Sequence, residues 1–349
     1  MPRRERIKMS YKSSGVDINA ADKWVEEIQS RVSQGDSQKL VSGVGEYAAV
    51  YAQNENEWLA TSCDGIGTKI FWTLEGLKAS ENPEKDLAQD LLSMNVNDLL
   101  CTGATPKLFL DYIACSGSDA LQEGRFLKKF IRGLIDICRD ENQILAGGET
   151  AQMPDLYKDD HFDVGGFSIG FLKPEEYLHP KNITEGSQVW GWTSNGPHSN
   201  GFSWLRKIFD NQKDKELIQK ELMPPTRVYI KDFLNLRKNL QEKGFEKSLQ
   251  AAFHITGSGL WNLLRSQKNF GFELSNWPEL PHWVKAVQER TKCSTHDLFA
   301  TFNCGIGFAV VVDQNVPAEL LKDLRLVELG KTIKGNSVIL PKFQIEIKE

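Results

Sequence analysis

Short apolar runs, each bounded by glycine or by a polar loop, recur along the whole chain, and this pattern constrains the fold more than any other feature. In the first half, residues 48–52 and 58–63 are predicted strands joined by the polar hairpin loop 53–57. Residues 84–101 and 121–139 place apolar side chains at helical spacing. Strands and helices mixed in this way predict an α+β or α/β architecture.

The second half alternates strand, glycine loop and helix. Residues 188–193 are a predicted strand that leads through a glycine loop into a helix from Phe202. Residues 250–255 repeat the arrangement, with a helix predicted from Leu260. A polar stretch over 173–186 separates this half from the first and is typical of a linker.

A length of 349 residues accommodates two domains at about 150 residues each, and the linker divides the chain into 1–172 and 173–349. The net charge of −5 gives no general attraction to nucleic acid or to anionic lipid. The six cysteines form no C-x-x-C pair, which is typical of reduced thiols. No apolar run is long enough to span a bilayer. We therefore predict a cytoplasmic enzyme with no nucleic-acid or membrane partner.

The segment Asp64-Gly65-Ile66-Gly67-Thr68-Lys69 directly follows a predicted strand. Its two glycines let the backbone approach a phosphate closely, and Lys69 supplies a point charge. Asp64 is a suitable Mg²⁺ ligand, because Mg²⁺ binds few carboxylates together with phosphate oxygens. A tight turn with a solvated Asp and Lys is an equally good interpretation of these six residues alone.

Two further acidic motifs lie in the same half of the chain. Asp90 and Asp98 share one face of a predicted helix. Glu149 follows two glycines at the end of a strand predicted over 143–146. A helix C-terminal turn and a plain strand-exit turn are the structural alternatives. Taken together with Asp64, oxygen ligands without His or Cys favour Mg²⁺ over zinc.

A dinucleotide-binding fingerprint is the main alternative for the first half. Gly43-Val44-Gly45-Glu46-Tyr47-Ala48 fits G-x-G-x-x-A, and Asp64 follows about twenty residues later, as the fingerprint asks. The fingerprint requires a helix after the glycines, whereas residues 48–63 are predicted to form two strands and a loop. The chain has no G-x-x-x-x-G-K-[ST] segment, which excludes a P-loop.

Two glycine loops of the second half each precede a predicted helix. They are Gly196-Pro197-His198-Ser199-Asn200-Gly201 and Thr256-Gly257-Ser258-Gly259. Helix N-termini with free N–H groups bind anions, so both loops could hold a substrate phosphate, with His198, Arg227 or His254 as further donors. Two capped helix starts carry equal weight as an interpretation.

In their order along the chain, these motifs resemble the phosphoribosylformylglycinamidine cyclo-ligase family, also called the aminoimidazole ribonucleotide (AIR) synthetase family. The matching segments are residues 11–18, 43–48, 64–69, 94–98, 110–112, 147–150, 153–154, 196–201, 225–229, 254–259 and 301–307. Each segment is short, but the ordered set covers nearly the whole chain and is specific.

The resemblance implies an α+β N-terminal domain that contributes strands to a dimeric barrel-like sheet, followed by an α/β C-terminal domain, the fold of the AIR synthetase-like superfamily. It implies a homodimer that uses ATP and Mg²⁺ to convert formylglycinamidine ribonucleotide to AIR, with release of ADP and phosphate, in purine biosynthesis. ATP phosphorylates the formyl oxygen, which makes it a good leaving group, and the amidine nitrogen then closes the ring.

The resemblance also implies roles for residues of this chain. Those implied at ATP are Lys12, Gly43, Gly45, Asp64, Gly65, Gly67, Thr68 and Lys69. Those implied at Mg²⁺ are Asp64, Asp98 and Glu149. Those implied at the substrate are His198, Ser199, Asn200, Arg227, His254, Thr256 and Asn303. Lys69 and His254 carry the catalytic roles, which are phosphate contact and proton transfer.

The chain departs from the family pattern at several positions. Its first glycine loop ends Glu46-Tyr47-Ala48 where the family has Gly-Phe-Gly or Gly-Phe-Ala, and Asn262-Leu263-Leu264-Arg265 replaces Glu-Asn-Ile-Pro-Arg. Gln152, Ser258 and Ala300 are further departures. These differences motivate a rival hypothesis, a nucleotide-binding or regulatory protein that kept the fold and lost turnover. Thiamine-phosphate kinase is the nearest enzyme rival, but it lacks the first glycine loop of the second half.

Overall fold

The computed structural model describes residues 18–32, 39–158, 161–265 and 269–348. Two mixed sheets with flanking helices make up the described chain, and each sheet is built from one predicted half.

None of the helices in these described ranges is long and apolar enough to cross a membrane.

The first sheet is built from residues 40–172. Its strands are β1 (Leu40–Ser42), β2 (Ala49–Ala52), β3 (Trp58–Gly65), β4 (Thr105–Cys115), β5 (Ile144–Gln152) and β6 (Phe162–Leu172). The helices of this half are α1 (Ile18–Val32), α2 (Lys69–Leu74), α3 (Pro83–Cys101) and α4 (Phe126–Asp140). The strand order is β1-β2-β3-β6-β4-β5. Neighbouring strands are antiparallel except β4 and β5, which are parallel.

The second sheet is built from residues 188–348. Its strands are β7 (Gln188–Thr193), β8 (Leu249–His254), β9 (Phe270–Glu273), β10 (Ile306–Val312), β11 (Val327–Lys334), β12 (Ser337–Leu340) and β13 (Ile345–Lys348). The helices are α5 (Phe202–Ile208), α6 (Lys215–Leu217), α7 (Ile230–Glu242), α8 (His282–Thr291), α9 (Thr295–Phe299) and α10 (Ala318–Asp323). The order is β13-β12-β9-β11-β7-β10-β8, and the β12–β9 pair is parallel.

Helix α3 connects the two halves. On one side, Asn95 hydrogen-bonds both backbone groups of Asp64 at the end of β3. On the other side, Leu91 belongs to the same buried cluster as Trp190 and Phe308 of the second sheet. The two halves therefore share one apolar core around this helix.

Because both sides of α3 are covered, several of its polar side chains are buried as well. Asp90, Ser93 and Asn97 are buried, and each hydrogen-bonds the segment 226–229 of the second half. Buried polar groups are stable only when they are hydrogen-bonded, so these contacts dock the segment on the helix. They fix the position of the second half relative to the first.

Most predicted elements are confirmed. The hairpin in the first half is β2 and β3, the helix predicted over 84–101 is α3, and the strand predicted over 188–193 is β7. The helix predicted after the glycine loop 196–201 also begins at Phe202, as α5.

Three predicted boundaries are wrong. The second helix begins only at Phe126, because a separate 3-10 turn precedes it. The strand predicted over 143–146 continues to Gln152, because it pairs with β4 along its length. The helix predicted from Leu260 is a short 3-10 segment that ends at Leu263.

Candidate functional site

An open cleft of about 530 Å³ lies where the end of β3 meets the second half. The first half lines it with residues 63–67, Met94 and Tyr112, and the second half contributes Ser199 and Asn200. The cleft thus brings together predicted ATP residues and predicted substrate residues from both halves.

Asp64 lies at the mouth of the cleft and is held by its neighbours. Its backbone N–H donates to Asn95 Oδ1 at 2.8 Å, and its carboxylate accepts the Gly65 N–H at 2.7 Å. Burial and then the nearby Asp98 carboxylate raise the pKa of Asp64 to about 6. Two acidic groups placed this close favour a bound cation, which would offset their repulsion.

Asp98 is paired with His254 across the interface between the halves. Its Oδ1 lies 2.8 Å from His254 Nδ1, and the imidazole is fully buried. The backbone N–H of His254 donates to Cys101 Sγ at 3.2 Å, and its Nε2 lies 3.5 Å from Asn97 Nδ2. The structure therefore brings the predicted residues Asp98 and His254 together and fixes the ring of His254.

Glu149 does not join Asp64 and Asp98 within one chain. It lies inside β5, where it pairs with Tyr112 of β4. Across the sheet, Tyr112 pairs with Gly165 of β6, and Gly165 pairs with Gly65 of β3. Three strand spacings place its backbone about 14 Å from that of Gly65. Within the part of the chain that the structure describes, no three His, Cys, Asp or Glu side chains are placed to hold a metal.

Within a single chain the structure therefore does not bring Glu149 to Asp64, because Glu149 is a mid-strand residue and not a strand-exit residue. A role for Glu149 at Mg²⁺ stays a prediction. The remaining pair still fits Mg²⁺, which keeps several waters and needs only one or two carboxylates beside phosphate oxygens. Asp64 supplies one carboxylate at the cleft, and Asp98 lies close enough to Asp64 to raise its pKa.

Lys69 does not face the cleft. Its side chain is 1% exposed, and its Nζ lies 2.7 Å from Asp90 Oδ2. The ammonium also donates to the carbonyl oxygens of Pro224 at 3.0 Å and His198 at 3.5 Å. The predicted phosphate contact and catalytic role of Lys69 do not fit this geometry, because all its directions are occupied by protein groups.

Asp90 is the centre of a buried polar cluster and not a metal ligand. Besides Lys69, its carboxylate accepts the backbone N–H of Thr226 at 2.7 Å, the hydroxyl of Thr226 at 2.6 Å and that of Ser199 at 3.1 Å. The cluster holds the loop that carries Ser199 against α3. The two carboxylates of the helix face predicted to carry a metal site therefore have different partners: Asp90 pairs with Lys69, and Asp98 contacts His254.

His198 is buried in the loop before α5 with a left-handed backbone, φ +61°. Neither ring nitrogen has a hydrogen-bond partner in the described structure. Burial, followed by the charges of His254 and Lys69, lowers the pKa of His198 well below its ordinary value. The ring is therefore neutral, and the next residue in the chain, Ser199, lines the cleft.

Asn200 presents an unused donor beside the second glycine loop. Its Nδ2 is buried without a hydrogen-bond partner. A Cβ added at Gly257 would lie 3.3 Å from Asn200 Oδ1, so the glycine allows the two loops to approach closely. The structure thus brings the two predicted substrate loops together at the cleft.

Arg227 and Asn303 have structural partners. Arg227 pairs with Asp232 at 2.7 Å and donates to the Thr193 carbonyl at 3.0 Å. Asn303 Nδ2 donates to the carbonyl oxygen of Gly196 at 2.8 Å, which braces the loop that carries Asn200. The side-chain donors that were predicted to bind substrate therefore already hydrogen-bond protein groups in both residues.

Thr68 lies at the contact between the halves, whereas Thr256 makes its hydrogen bond within the second half. Thr68 Oγ1 is 3.0 Å from Ser203 Oγ, so the end of the Asp64 loop touches the start of α5. Thr256 Oγ1 donates to Asn262 Oδ1 at 3.4 Å.

The predicted glycines differ in their positions. Gly67 has a left-handed backbone, φ +74°, with open space where a Cβ would lie, and it lines the cleft with Gly65. Gly43 and Gly45 precede β2 and do not line the cleft. Lys12 lies outside the described residues.

Tyr112, Tyr157 and Asp163 line the cleft and were not predicted as site residues. The two-residue period of β4 is the signal that could have found Tyr112, since it places this side chain opposite the buried Phe109 and Ile113. Tyr157 lies on the connection between β5 and β6, and Asp163 is the second residue of β6. No spacing rule relates either residue to Asp64.

Two family descriptions match this chain. The N-terminal domain of AIR synthase related proteins matches residues 45–172, and the C-terminal domain of the same proteins matches residues 184–340. Phosphoribosylformylglycinamidine cyclo-ligase of Fusobacterium nucleatum is 33% identical over 337 residues, covering 93% of this chain and 94% of that protein. The protein of the same name from Prochlorococcus marinus is 32% identical over 360 residues, with 97% and 99% covered.

Solved structures share the fold at lower identity. AaThiL complexed with AMPPCP and TMP superposes with a TM-score of 0.59 at 17% identity, covering 99% of this chain and 98% of that one. T. maritima PurL complexed with ADP gives a TM-score of 0.56 at 14% identity, covering 88% of this chain and 46% of that one. The fold class predicted from the resemblance is confirmed.

Proposed function

This chain belongs to the AIR synthase related family, and we propose on that premise that it is an ATP-dependent cyclo-ligase. It converts formylglycinamidine ribonucleotide to AIR with release of ADP and phosphate, in purine biosynthesis (EC 6.3.3.1). The observation that carries this function is similarity to phosphoribosylformylglycinamidine cyclo-ligases over nearly the full length of both chains. A cleft that brings Asp64 together with Ser199 and Asn200 of the second half, with the Asp98 carboxylate near Asp64, supports it.

Asp64 and Asp98 would hold Mg²⁺ bound to the triphosphate of ATP. The divalent cation, when bound, offsets the charge that develops on the transferring phosphoryl group. The backbone of Gly65 and Gly67 gives phosphate oxygens close access, because neither residue carries a side chain at the cleft. The bound ADP and AMPPCP of the two structures that share the fold support nucleotide binding.

The two loops of the second half would hold the formylglycinamidine ribonucleotide. Asn200 supports this role because its Nδ2 is a buried donor without a protein partner beside the cleft. The formyl oxygen forms a bond to the γ-phosphorus of ATP as the bond to ADP breaks. The amidine nitrogen then attacks the formyl carbon and loses a proton to water, and the carbon–oxygen bond breaks as phosphate leaves. The protein accelerates ring closure by holding nitrogen and carbon in contact.

His254 would orient Asp98 rather than exchange a proton with the substrate. Its ring is fully buried, and Nδ1 lies 2.8 Å from the Asp98 carboxylate. A histidine that hydrogen-bonds a metal-binding carboxylate fixes the carboxylate's direction. This role replaces the proton transfer predicted for His254, which requires access to the cleft.

A second copy of the chain would cover the exposed face of the first sheet. Phe167, Tyr112 and Ile144 point to this face, opposite the helices, and Ile144 is 62% exposed. Several exposed apolar side chains on one sheet face are typical of an interface. Glu149 lies on the same face as Tyr112, so any contact between Glu149 and a nucleotide would be made in the partner's site.

The two domains are proposed to divide near residue 173, where the first sheet ends. The N-terminal domain would carry the nucleotide and the dimer contact, and the C-terminal domain the substrate loops. A cytoplasmic location remains a prediction.

The function is tested by ADP release, measured in a coupled assay with Mg²⁺ and ATP. Release that depends on formylglycinamidine ribonucleotide, with formation of AIR, is the expected result. ATP binding without turnover would support the nucleotide-binding rival. ADP release that depends on thiamine monophosphate would support the kinase.

A further inference from the structure

Tyr47 crosses from the first half to the second half of the chain. It lies in the glycine loop before β2, and its hydroxyl donates to the backbone carbonyl oxygens of His254 at 3.1 Å and Asn262 at 3.3 Å. Its ring packs against both of the large hydrophobic clusters. A residue of the nucleotide domain therefore holds two backbone groups of the substrate domain.

Arg265 covers the other side of this contact. Its guanidinium carbon lies 4.6 Å from the centre of the Tyr47 ring, within the range of a cation–π interaction. Arg265 follows Asn262 closely in the chain, so the same short segment contacts both the hydroxyl and the ring of Tyr47.

Both partners belong to segments that depart from the family pattern. The loop that ends in Gly-Phe elsewhere in the family has Glu46-Tyr47 here, and Asn262-Leu263-Leu264-Arg265 replaces Glu-Asn-Ile-Pro-Arg. A Tyr in place of Phe adds the one atom that donates to the second half. The two departing segments are therefore in direct contact.

The contact ends on His254. The first half contacts this residue through Tyr47 at its carbonyl oxygen, Cys101 Sγ at its N–H, and Asp98 and Asn97 at its ring. The glycine loop at 256–259 begins directly after it. A shift of the His254 backbone would move both the ring that orients Asp98 and the loop that follows.

We propose that Tyr47, covered by Arg265, is a positioning residue that joins the two domains and sets the place of the His254–Asp98 pair and of loop 256–259. The proposal rests on the proposed function, since it assigns Asp98 to the cation and loop 256–259 to the substrate.

Tyr47→Phe tests the hydroxyl, because Phe keeps the ring and restores the family's residue. We expect kcat to fall about fivefold, equivalent to about 1 kcal/mol, with KM for ATP within about twofold of the wild-type value. An unchanged kcat would overturn the proposal.

Thr332→Val is the matched control. Thr332 is buried in β11, and its hydroxyl donates to the Thr184 carbonyl at 2.6 Å inside the second half. This variant also loses a buried hydroxyl donor but makes no contact between the halves. We expect kcat within about twofold of wild type, and a loss equal to that of Tyr47→Phe would refute a specific role for Tyr47.

A double-mutant cycle tests the partnership with Arg265. Arg265→Met should lower kcat, and the double variant Tyr47→Phe/Arg265→Met should lose less than the product of the two single effects, because both act through one contact. Additive effects would contradict the proposal.

Amide hydrogen exchange gives a readout that needs no turnover. In Tyr47→Phe we expect faster exchange over residues 254–265 and no change in that segment in Thr332→Val. Unchanged exchange in Tyr47→Phe would overturn the contact. If the wild-type protein shows no substrate-dependent ADP release, the proposed function fails, while the exchange comparison still decides whether Tyr47 holds the segment.

Discussion

Replacing Lys69 with methionine separates a structural role from a catalytic one. The Lys69–Asp90 pair is almost completely buried, with 1% and 0% of the two side chains exposed. Removing one partner of a buried ion pair leaves an uncompensated charge and costs about 3–5 kcal/mol. Thr226 and Ser199 continue to donate to Asp90, so we expect the lower end, about 3 kcal/mol of unfolding free energy.

The measurement is urea unfolding of wild type and Lys69→Met, with two further variants. Lys220→Met removes an exposed pair, since Lys220 and Glu216 are 73% and 82% exposed, and it should change stability by no more than about 0.5 kcal/mol. Lys69→Met combined with Asp90→Asn neutralises the charge left behind, so it should recover at least about 1 kcal/mol of the loss.

A phosphate-binding Lys69 would behave differently. Its loss would lower kcat/KM strongly and leave the unfolding free energy nearly unchanged. If Lys69→Met loses less than about 1 kcal/mol of stability while activity collapses, the structural reading of this residue is refuted.

Three other predictions concern the cleft and the exposed sheet face. Burial and Asp98 raise the pKa of Asp64 to about 6 in the folded protein. Above that pH Asp64 is ionised and destabilises the cation-free protein, whereas below about pH 4 it is protonated and this destabilisation is absent. Asp64→Asn should therefore raise the melting temperature relative to wild type at pH 7.5, leave it unchanged at pH 4 and abolish Mg·ATP turnover. A variant that melts at the same temperature as wild type at both pH values would contradict this. Asn200→Ala should raise KM for formylglycinamidine ribonucleotide about tenfold with KM for ATP unchanged, in steady-state kinetics, and an unchanged substrate KM would exclude the contact. Phe167→Lys should convert a dimer to the 39.4 kDa monomer in sedimentation velocity, whereas Leu156→Lys, at another exposed apolar site, should not; a monomeric wild type would refute the interface.

The helices and strands could be predicted from the sequence because each is marked by a pattern within a few neighbouring residues. The polar turn between β2 and β3 and the helical spacing over 84–101 are each contained in a few residues. The extent of β5 could not be predicted in this way, because its second part continues only through pairing with β4. The same error placed Glu149 at a strand exit.

The candidate site was predicted in part, for a similar reason. Asp64 and Asp98 were expected at one site, and they lie close enough for Asp98 to raise the pKa of Asp64. The pairing of Lys69 with Asp90 was not predicted, because a buried ion pair between residues far apart in the chain leaves no mark in local spacing. The contact of Tyr47 with Asn262 joins residues separated by most of the chain, and only the folded structure reveals it.

The most direct test of the account is a crystal structure with Mg²⁺ and AMPPCP bound. We predict a metal ion coordinated by carboxylate oxygens of Asp64 and Asp98 at about 2.1 Å, with Lys69 still paired to Asp90. A metal bound elsewhere, with both carboxylates directed away from it and from the phosphates, would contradict the account.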